Sequence, residues 1–139
     1  MVFHVLVAMD GSEMAEEALR YALDAHPEAD ITVLTVVGGP SPMMGQATAI
    51  ATADDPQRKV GELAEPVLDR AHEIAGERGV EIDTAIELGH PAREIIGRAD
   101  GFDTVVLGSH GGTIADSLVI GNVADTVFKR SPVPVTVVR

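Results

Sequence analysis

Five stretches of the chain carry unbroken or alternating apolar residues, and each is separated from the next by a segment of helical period. The first, Phe3-His4-Val5-Leu6-Val7-Ala8-Met9, is continuously apolar except for its histidine and stops at Asp10-Gly11-Ser12, which predicts a buried strand ending in a turn. His4 within it reads as a core or edge histidine rather than a ligand. Ser12 is placed to cap a helix running to about His26, with Glu13, Glu16 and Glu17 in its early turns and Ala15, Ala18, Leu19 and Ala22 as its inward stripe. Ile31-Thr32-Val33-Leu34-Thr35-Val36-Val37 is β-branched and apolar, a second buried strand.

The segment from Gly38 to Pro56, rich in Gly, Pro, Ala and Thr and containing Met43 and Met44, is longer than most connections and reads either as a lid or as a disordered stretch. Asp55-Pro56 opens a helix whose apolar positions (Val60, Leu63, Ala64, Val67, Leu68, Ala71, Ile74, Ala75) continue to a stop at Gly76–Gly79, with a kink or late restart expected at Pro66. Val80 to Leu88 alternates, Ile82, Thr84, Ile86 and Leu88 against Glu81, Asp83, Ala85 and Glu87, as in an edge strand with one wet face. A short helix follows Gly89-His90-Pro91 through Ala92, Ile95, Ile96 and Ala99, then a strand at Thr104–Leu107. A helix from Val123 to Arg130 and a strand from Val133 to Val138 complete the chain. Strands alternating with helices in this way predict one parallel sheet covered on both faces, an α/β fold.

Composition narrows the chemistry. At 139 residues, one core suffices, because a domain of this size buries roughly 70% of the surface its unfolded chain exposes. Apolar residues are 45% and charged residues 23%, ordinary proportions for a globule, and aromatics are only 3%, so the core is aliphatic. The absence of cysteine removes disulfides, thiolate metal sites and a cysteine nucleophile. The start has no basic segment or cleavage signature and no run nears the ~20 residues that cross a bilayer, so a cytoplasmic location is the default expectation. A net charge of −12, from 22 acidic and 10 basic residues, repels a phosphate backbone and argues against nucleic acid as a partner. The same excess of acid is a trait of proteins from salty cytoplasm and can also follow from base composition.

The stretch Gly108-Ser109-His110-Gly111-Gly112-Thr113-Ile114-Ala115-Asp116-Ser117-Leu118-Val119-Ile120-Gly121-Asn122 leaves one strand and ends at a helix start. Ligands of open α/β sheets collect outside the carboxyl ends of strands, and a helix start offers free N–H groups to an anion, so this is a natural phosphate site. On spacing alone, Gly108, Gly111 and Gly121 equally serve a tight turn, and Asn122 with Asp125 equally forms a helix cap. No Gly-x4-Gly-Lys-Ser/Thr, no metal-type histidine spacing and no nucleophile elbow is present.

The spacing Gly108-x2-Gly111-x9-Gly121, preceded by Val-Val-Leu and followed by a Val-Ala helix and a Pro-Val-Pro-Val strand, resembles the nucleotide loop of the universal stress proteins. Val7-Ala8-Met9-Asp10-Gly11-Ser12 resembles that family's first strand and turn, and Gly89-His90-Pro91-Ala92 with Ile95-Ile96 its approach to the third helix, so the resemblance spans the chain. It implies a doubly wound three-layer sandwich with a five-stranded parallel sheet of order 3-2-1-4-5, and ATP across the ends of the first and fourth strands. By position it places Asp10 and the backbone near Ala8 and Val36 at adenine and ribose, Gly108 by the ribose, and His110, Gly111, Gly121, Asn122 and Val123 around the phosphates. It also implies a homodimer paired through residues 133–138, where Pro134 suits an edge strand.

Two departures from the family pattern matter. Asn122 stands where Ser or Thr is usual after the third glycine, and the loop from Gly108 to Asn122 holds no Lys or Arg but does hold Asp116. A bound triphosphate therefore needs backbone amides and a cation, so Mg²⁺ dependence is expected, or weaker binding. Asp10 has a second reading as a turn acid at the helix entry. Three functions remain: a nucleotide-binding stress or signalling protein without efficient turnover, a non-nucleotide interaction module of the same fold, and a very slow ATPase or self-phosphorylating protein.

Overall fold

The computed structural model describes residues 1–39, 46–110 and 120–139. Its elements are β1 (His4–Ala8), α1 (Glu13–Ala25), β2 (Asp30–Val37), α2 (Gln46–Thr52), α3 (Pro56–Glu77), β3 (Asp83–Leu88), α4 (Pro91–Ala99), β4 (Thr104–Gly108), α5 (Asn122–Arg130) and β5 (Val135–Val138). All strand pairs are parallel and the order is β3-β2-β1-β4-β5, the doubly wound arrangement implied by the resemblance. After β3 the chain crosses back to the other side of β1, so the winding reverses between β1 and β4.

Alternation along the strands builds two cores. Val5, Val7, Met9, Ile31, Val33 and Val106 face α1 and α3, where Ala15, Ala18, Leu19, Ala22, Ala71, Ile74 and Ala75 meet them. Leu6, Leu34, Val105 and Leu107 face the other way, toward Ala92, Ile95 and Ala99 of α4 and Ala124 and Val127 of α5. The alanine stripes let the helices approach the sheet closely, and single aliphatic side chains carry much of the stability. Leu6, with no exposed surface, would cost about 2–5 kcal/mol if truncated to alanine.

Helix ends follow the local chemistry. Ser12 Oγ accepts from Ala15 N at 3.2 Å, and Asp55 caps α3 by accepting from Arg58 N at 3.2 Å, with Pro56 in the first turn. At the far end of α3, Gly79 adopts φ +67° while Val80 N donates to Ala75 O and Gly79 N to Gly76 O, both at 3.0 Å. This paired closure needs a left-handed residue, which glycine supplies without strain.

Several expectations are corrected. The Gly38–Pro56 stretch is neither wholly a lid nor wholly disordered: α2 forms within it because Ile50 buries against Val37 and Ala64. Its residues 40–45, including Met43 and Met44, lie outside the described residues. No restart follows Pro66, which sits on the exposed side of one 22-residue helix where the carbonyl it leaves unpaired can be hydrated. β3 begins at Asp83 rather than Val80, because its pairing with β2 begins only at Thr32 opposite Asp83. β5 begins at Val135 because Pro134 has no N–H to give; its carbonyl instead accepts from Val105 N and Thr104 Oγ1.

The faces of β3 also differ from the simple alternation. Glu87, expected on the wet face, is partly covered because Arg98 of α4 forks onto its Oε1 through Nε (2.9 Å) and a terminal nitrogen. Ile86 and Leu88, expected inside, are 37% and 54% exposed, since no helix of the described residues reaches over the outer end of this edge. His4 is not a core residue. It lies exposed where β1 begins, with Nδ1 3.7 Å from Asp30, at the end of the sheet remote from the carboxyl ends of the strands.

Candidate functional site

Where the winding reverses, the carboxyl ends of β1, β2 and β4 open into a cavity of about 480 Å³, within the range of sites that hold small molecules. Ala8, Met9 and Asp10 come from the end of β1, Leu34 to Val37 from β2, and Leu107, Gly108 and His110 from β4 and the residues after it. Gly121 to Ala124 come from the start of α5. Ala8, Asp10, Val36, Gly108, His110, Gly121, Asn122 and Val123 are thus brought together in one concavity, and Gly111 lies outside the described residues.

The turn after β1 is held by short polar contacts. Gly11 takes φ +86°, Asp10 Oδ1 accepts from Ser12 N at 3.0 Å, and Ser12 then caps α1. Asp10 is therefore a turn acid and a cavity-lining acid together: one carboxylate oxygen is engaged by the turn, and the residue itself is exposed. Met9 N donates to Leu34 O at 2.9 Å, which keeps the β1 and β2 ends in register beside it.

Gly108 is required by close approach. A Cβ there would stand 2.8 Å from Met14 Cγ and 3.0 Å from the Met14 carbonyl carbon and oxygen, so the first turn of α1 packs directly on it. Ser109 follows, fully buried, its N donating to Val138 O at 2.7 Å and its hydroxyl lying 3.0 Å from His110 Nδ1. Gly121 N donates to Ser109 O at 2.6 Å, which draws the start of α5 back against the end of β4.

The cap of α5 differs from the sequence expectation. Gly121, not Asn122, is the N-cap; Asn122 is the first helical residue and no side chain caps the helix. Asp125 N is taken by Gly121 O at 2.9 Å, while no described residue accepts from the N–H groups of Asn122, Val123 or Ala124. These donors border the cavity at the positive end of the helix dipole, an arrangement that suits an anion.

Opposite, toward β2, the wall is apolar and comes from parts of the chain that carried no motif: Leu63 and Val67 of α3, Ile95 and Pro91 of α4, and Gln46 of α2. Leu63, Val67 and Ile95 were legible only as apolar helical positions. Gln46 gave no signal inside a stretch without periodicity. Among the described residues, Asp10 is the one carboxylate of the lining and His110 its one imidazole, and neither Lys nor Arg borders the cavity. Among the described residues no group of three or more His, Asp or Glu could hold a metal, and no helix is long and apolar enough to cross a membrane.

Comparison with known proteins agrees with this fold. Universal stress protein YxiE of Bacillus subtilis (strain 168) is 31% identical over 144 residues, covering 97% of each chain. The solved structure of hypothetical protein MJ0577 superposes with a TM-score of 0.77 at 26% identity, covering 99% of this chain and 96% of that one. A universal stress protein solved in complex with cAMP has the same fold, with a TM-score of 0.71 at 24% identity and coverage of 99% and 97%. The universal stress protein family model matches residues 1–139, and the chain belongs to that family.

Proposed function

We propose that this protein binds an adenine nucleotide, ATP in particular, in the cavity at the ends of β1, β2 and β4, and acts as a homodimer in stress response or signalling. The observation that carries the reading is the polarity of the cavity: N–H groups of Asn122, Val123 and Ala124 that no described residue claims on the α5 side, and aliphatic walls on the β2 side. A phosphate chain fits the first and a purine the second. The cAMP held by the relative of this fold lends the ligand class support.

In this reading Val36 and Ile95 shield the base from water, Asp10 and the backbone at Ala8 and Gly108 orient the sugar, and Gly121 to Val123 take phosphate oxygens. Gly111 belongs to the same phosphate group by its place in the loop. With neither Lys nor Arg among the described lining residues, backbone dipoles are what opposes the phosphate charge there. Mg²⁺ would supply the missing neutralisation, so nucleotide affinity is expected to fall when it is chelated. His110, with Nδ1 beside the buried Ser109 hydroxyl, adds a ring donor or acceptor at the same end.

The test is thermal unfolding with and without ATP, ADP, AMP or cAMP, each with and without Mg²⁺. A ligand at 100 times its Kd adds about 2.7 kcal/mol, and no shift with any of them refutes the reading. The uncompensated acidity favours one alternative, a dimeric interaction module that binds no nucleotide; it predicts no such shift and a cellular function indifferent to a bulky residue at Gly121. The dimer is tested separately: β5 is an edge strand of half-buried valines and one threonine, and a monomer in light scattering at both physiological and molar salt removes it.

A further inference from the structure

We propose that Gln46 of α2 reads the ligand's base, donating a hydrogen bond to a purine ring nitrogen; this rests on the nucleotide reading above. The carboxamide borders the cavity, and its oxygen accepts from Gly38 N at 3.1 Å. That contact fixes which way the amide points. A backbone N–H can only donate, so the atom facing it is the oxygen and the other end of the amide is the NH₂ group. No described residue accepts from that nitrogen. Gln46 thus offers the cavity its NH₂ group, a donor.

Its place in the cavity names the ligand atom. β2 and β4 lie on opposite sides of β1, so the Gln46 end and the α5 end are the two extremes of the site. Anionic groups belong at the α5 end, where no described residue accepts from the first N–H groups of the helix, and the base therefore falls on the β2 side, beside Val36 and Gln46. In an otherwise aliphatic wall, a purine nitrogen deprived of water would be left without a donor unless the amide supplies one. With its oxygen turned to Gly38 N, Gln46 leads into the cavity with its NH₂ group, so the bond assigned here is the one this group donates and not the two-point pairing a freely oriented amide makes with adenine.

The experiment measures Kd by calorimetry for ATP and its 1-deaza, 3-deaza and 7-deaza analogues, with wild type, Gln46→Met and Gln46→Glu. One analogue is expected to bind wild type about tenfold more weakly than ATP, and that gap is expected to close in Gln46→Met, which removes the donor without adding charge. Gln46→Glu keeps an acceptor for Gly38 N, so it should melt like wild type and also close the gap; it serves if the methionine variant does not fold. Equal affinity of wild type for all four ligands, or a gap that persists in both variants, overturns the assignment while leaving nucleotide binding intact. Failure of wild type to bind ATP at all overturns both.

Discussion

Gly108 and Gly121 belong to the same sequence motif, yet the structure expects a methyl group at the two positions to behave differently. At Gly108 the new carbon would lie 2.8 Å from Met14 Cγ and 3.0 Å from two Met14 backbone atoms. The side-chain tip can turn away, but the backbone of the first turn of α1 cannot move without dragging the Asp10–Ser12 turn, which is hydrogen-bonded to it. Overpacking of this kind costs about 1–3 kcal/mol, which at this chain length lowers Tm by about 3–12 °C. At Gly121 the backbone is extended (φ −66°, ψ 160°), and a Cβ would stand 3.3 Å from His110 Cα and Ser109 O. A shift of a few tenths of an ångström relieves that contact, and the loss of unfolded-state freedom on replacing glycine offsets about 0.4–1 kcal/mol of it. Gly121→Ala is therefore expected to stay within about 1 kcal/mol of wild type. Urea unfolding followed by far-UV circular dichroism, with the slope checked for constancy, reads both variants directly. If Gly108→Ala unfolds with wild type, or if Gly121→Ala is the more damaging, the packing argument is wrong and the motif's glycines are not doing the separate jobs assigned to them.

Three other perturbations test different links. Asp103 accepts from Phe3 N and His4 N, both at 2.8 Å, and these bonds hold its carboxyl below the usual carboxylate range. Its stabilisation is complete above the unfolded-state value and is lost as pH falls through the lower folded one; Asp103→Asn should show a shallower acid limb of Tm against pH, and an unchanged limb would refute it. Pro66→Ala restores a hydrogen-bond donor inside α3 and should raise stability by about 1–3 kcal/mol; equal or lower stability would mean the helix has already adapted to the proline. Ile50→Ala removes the side chain that pins α2 against Val37 and Ala64, so hydrogen exchange should quicken in α2 but not in β1 or α1; uniform quickening would show that α2 does not open on its own.

Periodicity made most of the architecture readable. Apolar runs that stop at Asp10 and Gly108, with alanine stripes between strands, leave few alternatives to a parallel sheet sandwiched by helices. Ser12, Asp55 and Gly79 announced helix ends because capping is decided within four or five residues. The strand order came from the resemblance, since a pattern of apolar positions does not say which strands are neighbours.

What local pattern could not decide was set by contacts distant in sequence. α2 exists because Ile50 finds Val37 and Ala64; the seven residues around it have no periodicity long enough to declare a helix. Glu87 is covered because Arg98 of the next helix reaches it, and Ile86 and Leu88 stay exposed because no element among the described residues packs over the edge. Gln46 became a candidate only when folding set it across the cavity from α5. The sequence by itself determined the elements, the two-faced sheet and the glycine-bounded turn, because burial and capping act over short spans. Only the tertiary structure decided which wall is polar, which donors border the cavity and which glycine cannot change, because those depend on which surfaces meet.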